Sequence, residues 1–134
     1  MKRVYVAGPY SADNVLDVLK NIGRGQAACA DLFCMGYAPF CPWHDKSYVM
    51  DKFVADFSVK DFYDYSMVWL EVSDAVFLIQ GWETSKGTLA EIERAKELGI
   101  PVFEKLRELR EWADNEERIE ARVKFIMNTD FGGE

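Results

Sequence analysis

A continuous apolar run at residues 74–80, DAVFLIQ, constrains the fold of this chain most strongly. Such a run, bounded by polar residues, is typical of a strand buried on both faces of a parallel sheet. A helical pattern follows over about 87–98, Gly99 ends it, and a short β-rich run comes at 101–103. A strand, a helix and a second strand in this order predict an α/β domain with a parallel sheet.

The same alternation extends over the rest of the chain. Before the apolar run, the pattern predicts a strand at 3–7 ended by Gly8 and Pro9, a helix at 13–35 and a strand at 37–40. An irregular stretch at 43–57 and a helix at 58–72, capped by Ser58, follow. After 103, the pattern predicts a charged helix to about 127 and then a polar tail. We therefore predict one Rossmann-like three-layer domain over residues 1–134, with a parallel sheet of four to five strands.

Composition narrows the class of protein. Of the 134 residues, 49% are hydrophobic, which is enough for a packed core. No apolar run approaches the roughly 20 residues of a membrane span, so no membrane partner is expected. The net charge of −7 disfavours nucleic acid as a partner. Three unpaired cysteines, Cys29, Cys34 and Cys41, suggest mostly buried, reduced thiols in a cytoplasmic protein.

Cofactor and metal sites are not expected. His44 is the single histidine and has no cluster of other ligand residues around it in the sequence, so a polar loop contact is the default for it. The glycine turn after the first strand lacks the GxGxxG pattern of dinucleotide binding, which makes a Rossmann oxidoreductase a weak alternative.

In a parallel sheet, ligands bind beyond the carboxyl ends of the strands. Glu91 lies early in the helix after the strongest strand, and helical spacing places it on the apolar stripe with Thr88, Ile92, Ala95 and Leu98. A carboxylate there is costly unless something pairs with it. It is either a functional group, ionised near neutral pH with help from the helix N-terminus, or a structural cap or ion pair.

Other polar residues flank the same region. Ser85, Gly87 and Thr88 begin the helix, where free N–H groups and hydroxyls suit an anion such as phosphate or simply cap the helix. Tyr5 and Tyr10 flank the turn at Gly8, where either packing or ligand contact is possible. Asp74 opens the central strand and Asp64 precedes it by ten residues, and Asp74 is as consistent with a turn cap as with function.

The stretches YVAGPY and SDAVFLIQGWETSKGTLAEIERAKELGIPVF resemble the nucleoside 2-deoxyribosyltransferase superfamily over roughly residues 3–104. That superfamily includes deoxynucleoside monophosphate N-glycosidases, and the GWExSxG wording is most similar to an unassigned, phage-associated branch. The resemblance implies that Glu91 is the nucleophile, that Ser85 contacts the 5′-phosphate and that Asp74 handles the ribose or the base. It also matches Tyr5 to the tyrosine of the first strand, Gly8 to the turn glycine and Asp64 to a recurrent acidic position.

The resemblance implies an enzyme that cleaves or transfers the N-glycosidic bond of a nucleoside or nucleoside 5′-monophosphate. In this mechanism Glu91 attacks the sugar, and Asp74 or Asp64 protonates the departing base or activates the acceptor. Hydrolase and transferase both stay open, and a non-catalytic nucleotide-binding or sequestering protein is the alternative. Pro9 and Tyr10 depart from the polar residues of several hydrolases, and Glu83 would oppose a dianion if it pointed inward. A homodimer or larger homo-oligomer is expected.

Overall fold

The computed structural model describes residues 1–52 and 54–132, and the side chains of the final helix up to residue 129. It divides into two compact units, Met1–Glu104 and Lys105–Glu134. The first unit contains β1 (Arg3–Ala7), α1 (Val15–Cys34), β2 (Ala38–Phe40), α2 (Lys46–Asp51), α3 (Val59–Glu71), β3 (Ala75–Leu78), α4 (Lys86–Glu97) and β4 (Val102–Phe103). The second unit contains α5 (Leu106–Gly132).

The four strands form one parallel sheet in the order β2-β1-β3-β4. Tyr5 of β1 is paired with Phe40 of β2 on one side and with Val76 of β3 on the other. The two central strands are the most deeply buried, since Val4, Tyr5, Val6 and Ala7 are at most 1% exposed. This sheet confirms the predicted α/β class and the expected number of strands.

The chain moves in two directions from β1, which sets the layers. The first crossover runs outward through α1 to β2, and the later crossovers run the other way through α3 to β3 and through α4 to β4. Because parallel crossovers are right-handed, opposite directions place α1 on one face and α3 and α4 on the other. The contact between α3 and α4 agrees with this, and the result is a Rossmann-like three-layer arrangement.

Local signals begin each long helix of the first unit. The Asn14 side chain accepts a hydrogen bond from the backbone N–H of Asp17 at the start of α1. Ser58 forms a reciprocal capping box with Asp61 at the start of α3, and Ser85 accepts the N–H of Thr88 at the start of α4. Each cap satisfies a donor that the first helical turn leaves free.

The structure corrects three expectations, two about secondary structure and one about the burial of Leu98. The stretch predicted as irregular contains a 3-10 helix at Pro42–Asp45 and then α2. Pro42 fits the first helical position because its φ is fixed near the helical value and the N–H that it lacks would have no partner within the helix. Phe53 lies outside the described residues. Leu98, expected on the apolar stripe of α4, is 40% exposed, because it follows the last residue of the helix. The expected tail is helical to Gly132, and residues 133–134 lie outside the described residues.

The second unit is a 27-residue helix with charged residues along its length. Within residues 1–52 and 54–132, no helix combines the length and the apolar character needed to cross a membrane.

Candidate active site

The sheet has its switch point between β1 and β3, where the chain leaves toward opposite edges. The loops after these strands separate there and leave a crevice, which is where open α/β sheets hold ligands. A cavity of about 750 Å³ occupies this position and is within the usual size range of small-molecule sites. Seven of the nine residues expected in the site line it: Tyr5, Gly8, Tyr10, Ser85, Gly87, Thr88 and Glu91.

The loop after β1 is held in place by close packing and by hydrogen bonds from its neighbours. A Cβ at Gly8 would overlap the Ile79 side chain, so glycine lets the loop after β1 pack closely against the residue that follows β3. The Trp43 indole donates to the Pro9 carbonyl at 3.1 Å, and the Asn21 amide donates to the Tyr10 carbonyl at 3.1 Å. The wall that carries Tyr10 is therefore fixed before any ligand binds.

The start of α4 supplies a second wall. Ser85 Oγ accepts from the Thr88 backbone N–H at 3.3 Å and from the Thr88 hydroxyl at 2.9 Å. Both bonds use the oxygen as an acceptor, so the Ser85 O–H remains free to donate to a ligand. Lys86 also lines the cavity, whereas Glu83 is exposed and is not among the lining residues. The expected conflict between Glu83 and an anion is therefore absent from this arrangement.

Glu91 places its carboxylate at the floor of the cavity. Its Oε2 atom is shut off from solvent and has no hydrogen-bond partner of good geometry among the described residues. Burial raises the pKa of Glu91 to about 7, and the neighbouring Tyr5 hydroxyl lowers it by a smaller amount. Desolvation is thus the larger of the two effects and favours the protonated form of Glu91 more than water does.

Tyr5, a residue of β1, lies beside Glu91. It is fully buried, and its hydroxyl also has no partner of good geometry within the described part of the chain. Burial raises the pKa of Tyr5 well above its usual value, and the charges of Glu91 and Asp45 add to that rise. The phenol therefore stays protonated and has its O–H available to donate beside the carboxylate.

Asp74 does not join this crevice, so its expected place in the site is wrong. It precedes β3, at the amino edge of the sheet, and accepts the Arg3 backbone N–H at 2.7 Å. The Arg3 guanidinium lies 3.6 Å from the same carboxylate. Because the strands are parallel, the length of β3 separates Asp74 from the carboxyl ends where the cavity lies. Its position supports pairing of β3 with β1.

Asp64 is also absent from the cavity. Its side chain is 54% exposed and pairs with Lys60 one helical turn earlier. Two residues along α3, Ser66 is buried and lines the cavity beside Tyr5. Residues two apart on a helix differ by about 200°, so Asp64 and Ser66 point in nearly opposite directions. The acidic residue type suggested Asp64, but the helical face selects Ser66.

Asp45 is a site residue that the sequence reasoning missed. It ends the 3-10 helix after β2, is 8% exposed, and lines the cavity. Its segment follows β2 after Cys41, at the ligand edge of the sheet, but a 3-10 helix this short has no period that the sequence pattern shows. Trp43 and Lys46 from the same segment and Phe62 and Tyr63 from α3 also line the cavity.

Within the described ranges, no three His, Cys, Asp or Glu side chains are grouped as metal ligands would be. His44 is exposed and is not a lining residue. Cys29 and Cys41 are buried and Cys34 is exposed, and all three are free thiols.

Fold and cavity together define a doubly wound α/β domain with a preformed pocket at its switch point. The model of one family, described as a domain of unknown function and named DUF7768, matches residues 2–105. The chain belongs to this family. The match ends one residue beyond the first compact unit, so it contains the whole sheet and the whole cavity.

A solved structure adds a likeness in fold. It is a 2-deoxyribosyltransferase from the psychrotolerant bacterium Bacillus psychrosaccharolyticus, described as a biocatalyst for the synthesis of antiviral and antitumoral nucleosides. The TM-score is 0.52 at 22% identity, over 75% of this chain and 69% of that chain. At this identity the likeness concerns the fold. A comparison with curated proteins gave no match.

Proposed function

We propose that this protein cleaves or transfers the N-glycosidic bond of a nucleoside or nucleoside 5′-monophosphate, with Glu91 as the nucleophile. The observation that carries the proposal is the Glu91 carboxylate, which lies at the cavity floor with its Oε2 unpartnered and shut off from solvent. A structural carboxylate would normally be hydrogen-bonded or paired, because burying one alone is costly. The fold likeness to a 2-deoxyribosyltransferase supports the same reaction class.

The chemistry follows from the bond. Breaking the bond between the anomeric carbon and the base nitrogen builds positive charge on the sugar, which a carboxylate stabilises and then traps covalently. Glu91 supplies this carboxylate, and the Tyr5 hydroxyl donates toward it and orients it. Water as acceptor then gives hydrolysis, and a second base gives transfer.

The walls of the cavity fit the remaining parts of such a substrate. The Ser85 hydroxyl, the Lys86 ammonium group and the first amides of α4 provide donors for a 5′-phosphate. Phe62 and Tyr63 provide aromatic surface for a planar base. The lining therefore offers groups for both a phosphate and a base.

The direct test is release of free base, followed by chromatography, with deoxynucleosides and their 5′-monophosphates as substrates. Glu91→Gln keeps the shape of the side chain and removes its charge, so it should abolish release and preserve ligand binding. Glu93→Gln is the matched control, because Glu93 is an exposed residue of the same helix. Ligand binding by the wild type without any base release would instead identify a nucleotide-sequestering protein.

A further inference from the structure

The cavity is lined by a second carboxyl group, that of Asp45, which follows a different strand from the one that precedes Glu91. Asp45 follows β2, Glu91 follows β3, and β1 lies between these strands. Neighbouring strands are about 4.8 Å apart, so the two strand ends lie about 10 Å from each other, and both side chains reach inward. Two carboxyl groups, which come after two strands that are not neighbours, thus line one cavity.

The backbone around Asp45 is rigidly placed. Trp43 is 1% exposed and packs on Gly25 of α1, where a Cβ would overlap the indole ring. The same indole donates to the Pro9 carbonyl of the loop after β1. The 3-10 helix that ends in Asp45 is therefore held between α1 and the loop that carries Tyr10, as a positioned acid requires.

The Asp45 side chain has no structural task that accounts for its burial. It stands at the N-cap position of α2 but makes no capping hydrogen bond from its side chain. Among the described residues no cation forms an ion pair with it. The Tyr10 hydroxyl and the Lys46 backbone N–H lie within reach of the carboxyl group. Burial raises the pKa of Asp45, and these two contacts offset only part of the rise, so the protonated form is favoured more than in water.

We propose that Asp45, positioned by Tyr10, is the acid that protonates the departing base in the reaction proposed above. This inference rests on that reaction. The protonation sites of a nucleobase lie several ångströms beyond the anomeric carbon, so the acid must lie farther from the nucleophile than in enzymes that cleave a bond to oxygen. Asp45 and Glu91 follow strands that are separated by β1, which agrees with this requirement.

The step balances in atoms and electrons. The bond between the anomeric carbon and the base nitrogen breaks, its electron pair stays on the base, and the base takes the proton of Asp45. A bond forms between a Glu91 oxygen and the anomeric carbon. In the second half, water or an acceptor base attacks that carbon and loses a proton to the Asp45 carboxylate. The bond between Glu91 and the anomeric carbon breaks, its electron pair returns to the Glu91 carboxylate, and both groups are restored. Tyr10 stays protonated throughout, because burial and then the charge of Asp45 raise the pKa of its phenol.

The test compares leaving groups. Deoxyadenosine, deoxyguanosine, deoxycytidine and thymidine need a proton on the departing base, whereas a nitrophenyl deoxyriboside releases a stable anion without one. Asp45→Asn should lower kcat on the nucleosides by on the order of 10²–10⁴-fold, the usual contribution of a general acid. The loss on the nitrophenyl substrate should be under about tenfold. Tyr10→Phe, which keeps the ring, should show the same selectivity with a smaller loss.

The controls separate the two proposals. Asp31→Asn, on the exposed face of α1, should leave both activities at the wild-type level. Thermal unfolding of each variant checks that it folds. Equal losses on both substrates would overturn the role of Asp45 while the N-glycosidase activity stands. A wild type that cleaves neither substrate would overturn the proposed reaction and the role of Asp45 with it.

Discussion

The Tyr5 hydroxyl and the Glu91 carboxylate are neighbours at the floor of one cavity, and neither finds a full complement of hydrogen bonds among the described residues. Tyr5 belongs to β1, and Glu91 belongs to the second turn of α4. Burial raises the pKa of both groups, because each loses the water that would stabilise its charged form. Natural proteins retain such costly polar groups mainly where function needs them.

The cost of burying Glu91 predicts that Glu91→Gln stabilises the protein in mildly alkaline solution. The pKa of Glu91 rises from an ordinary 4.5 to about 7 in the folded chain, so between these values the folded chain holds a proton that the unfolded chain has lost. Stability therefore falls as pH rises through this window, by about 3 kcal/mol in total. Glutamine removes this dependence.

Chemical denaturation of both proteins from about pH 4 to about pH 8 measures the effect. The variant should be more stable than the wild type by about 1–3 kcal/mol at the alkaline end, and the difference should disappear at the acid end. Glu93→Gln serves as the exposed control and should show no such trend. A variant less stable than the wild type at about pH 8 would mean that Glu91 is a structural partner after all.

A second pH dependence concerns the nucleophile alone. With a nitrophenyl deoxyriboside, which needs no proton on its leaving group, kcat/KM should follow the ionised fraction of Glu91. We expect a roughly tenfold rise per pH unit below the Glu91 pKa of about 7 and a plateau above it. Initial rates followed by nitrophenolate absorbance give the profile, after correction for the ionisation of nitrophenol. A profile that is flat from about pH 5 to about pH 9 would assign the attack to another group.

The start of α4 offers a test of phosphate recognition. Ser85→Ala should lower stability by about 0.5–2 kcal/mol because the Ser85 side chain caps the helix. It should also weaken binding of a nucleoside 5′-monophosphate by on the order of 1–3 kcal/mol, with little change for the nucleoside. Calorimetric titration with both ligands measures the difference.

Ser58→Ala provides the matched control, because Ser58 caps α3 through the same kind of hydrogen bond and is not a lining residue. It should lower stability by a similar amount and leave the preference for the monophosphate intact. If Ser85→Ala weakens both ligands equally, the hydroxyl acts through helix stability and does not contact phosphate.

Asp74 is expected to affect stability and not turnover. Asp74→Ala removes the acceptor of the Arg3 backbone N–H and the nearby guanidinium contact, both at the amino edge of the sheet. The loss of one charge-assisted bond in a partly exposed pair should cost about 1–2 kcal/mol of unfolding free energy. Urea unfolding and kcat/KM on the same samples separate the two effects, and a turnover loss beyond about tenfold would contradict this assignment.

The sequence pattern was enough for the sheet but not for the direction of every side chain. The run at 74–80 and the helix after it carry period and breaker signals that depend on nearby residues alone, so β3 and α4 were predicted correctly in type and order. Ser85 and Glu91 follow from that order, because the start of α4 is fixed to the end of β3. Local pattern and tertiary structure agree there.

The predictions that Asp74 and Asp64 lie in the site differ from the structure for different physical reasons. Asp74 was selected as the residue that opens the strand, yet the amino end of a parallel strand lies opposite the ligand edge. Asp64 was selected by residue type on a helix, where a shift of two positions reverses the face. Asp45 was missed because a 3-10 helix of four residues has too short a period to recognise in sequence. Its position also depends on packing of the neighbouring Trp43 on Gly25, 18 residues earlier in the chain, which no local pattern shows.

The covalent role of Glu91 has its own test. A nucleoside analogue with fluorine at C2′ in the arabino configuration reacts slowly in both steps of a retaining reaction. Breakdown of the glycosyl-enzyme becomes slow enough for this intermediate to accumulate. Intact-mass spectrometry of the treated protein should show one added sugar, and proteolysis should place it on the peptide from α4 that contains Glu91. The geometry favours this product because the buried Glu91 carboxylate is poorly solvated and its Oε2 has no protein partner to displace.

Two variants make the adduct experiment decisive. Glu91→Gln should give no adduct, because a neutral amide oxygen is a poor nucleophile. Asp45→Asn should still form the adduct from an analogue with an activated leaving group, because Glu91 is intact and no proton is needed. An active wild type that never forms the adduct would show that Glu91 stabilises the cation without trapping it. An adduct on Asp45 would exchange the roles of the two carboxyl groups across the cavity.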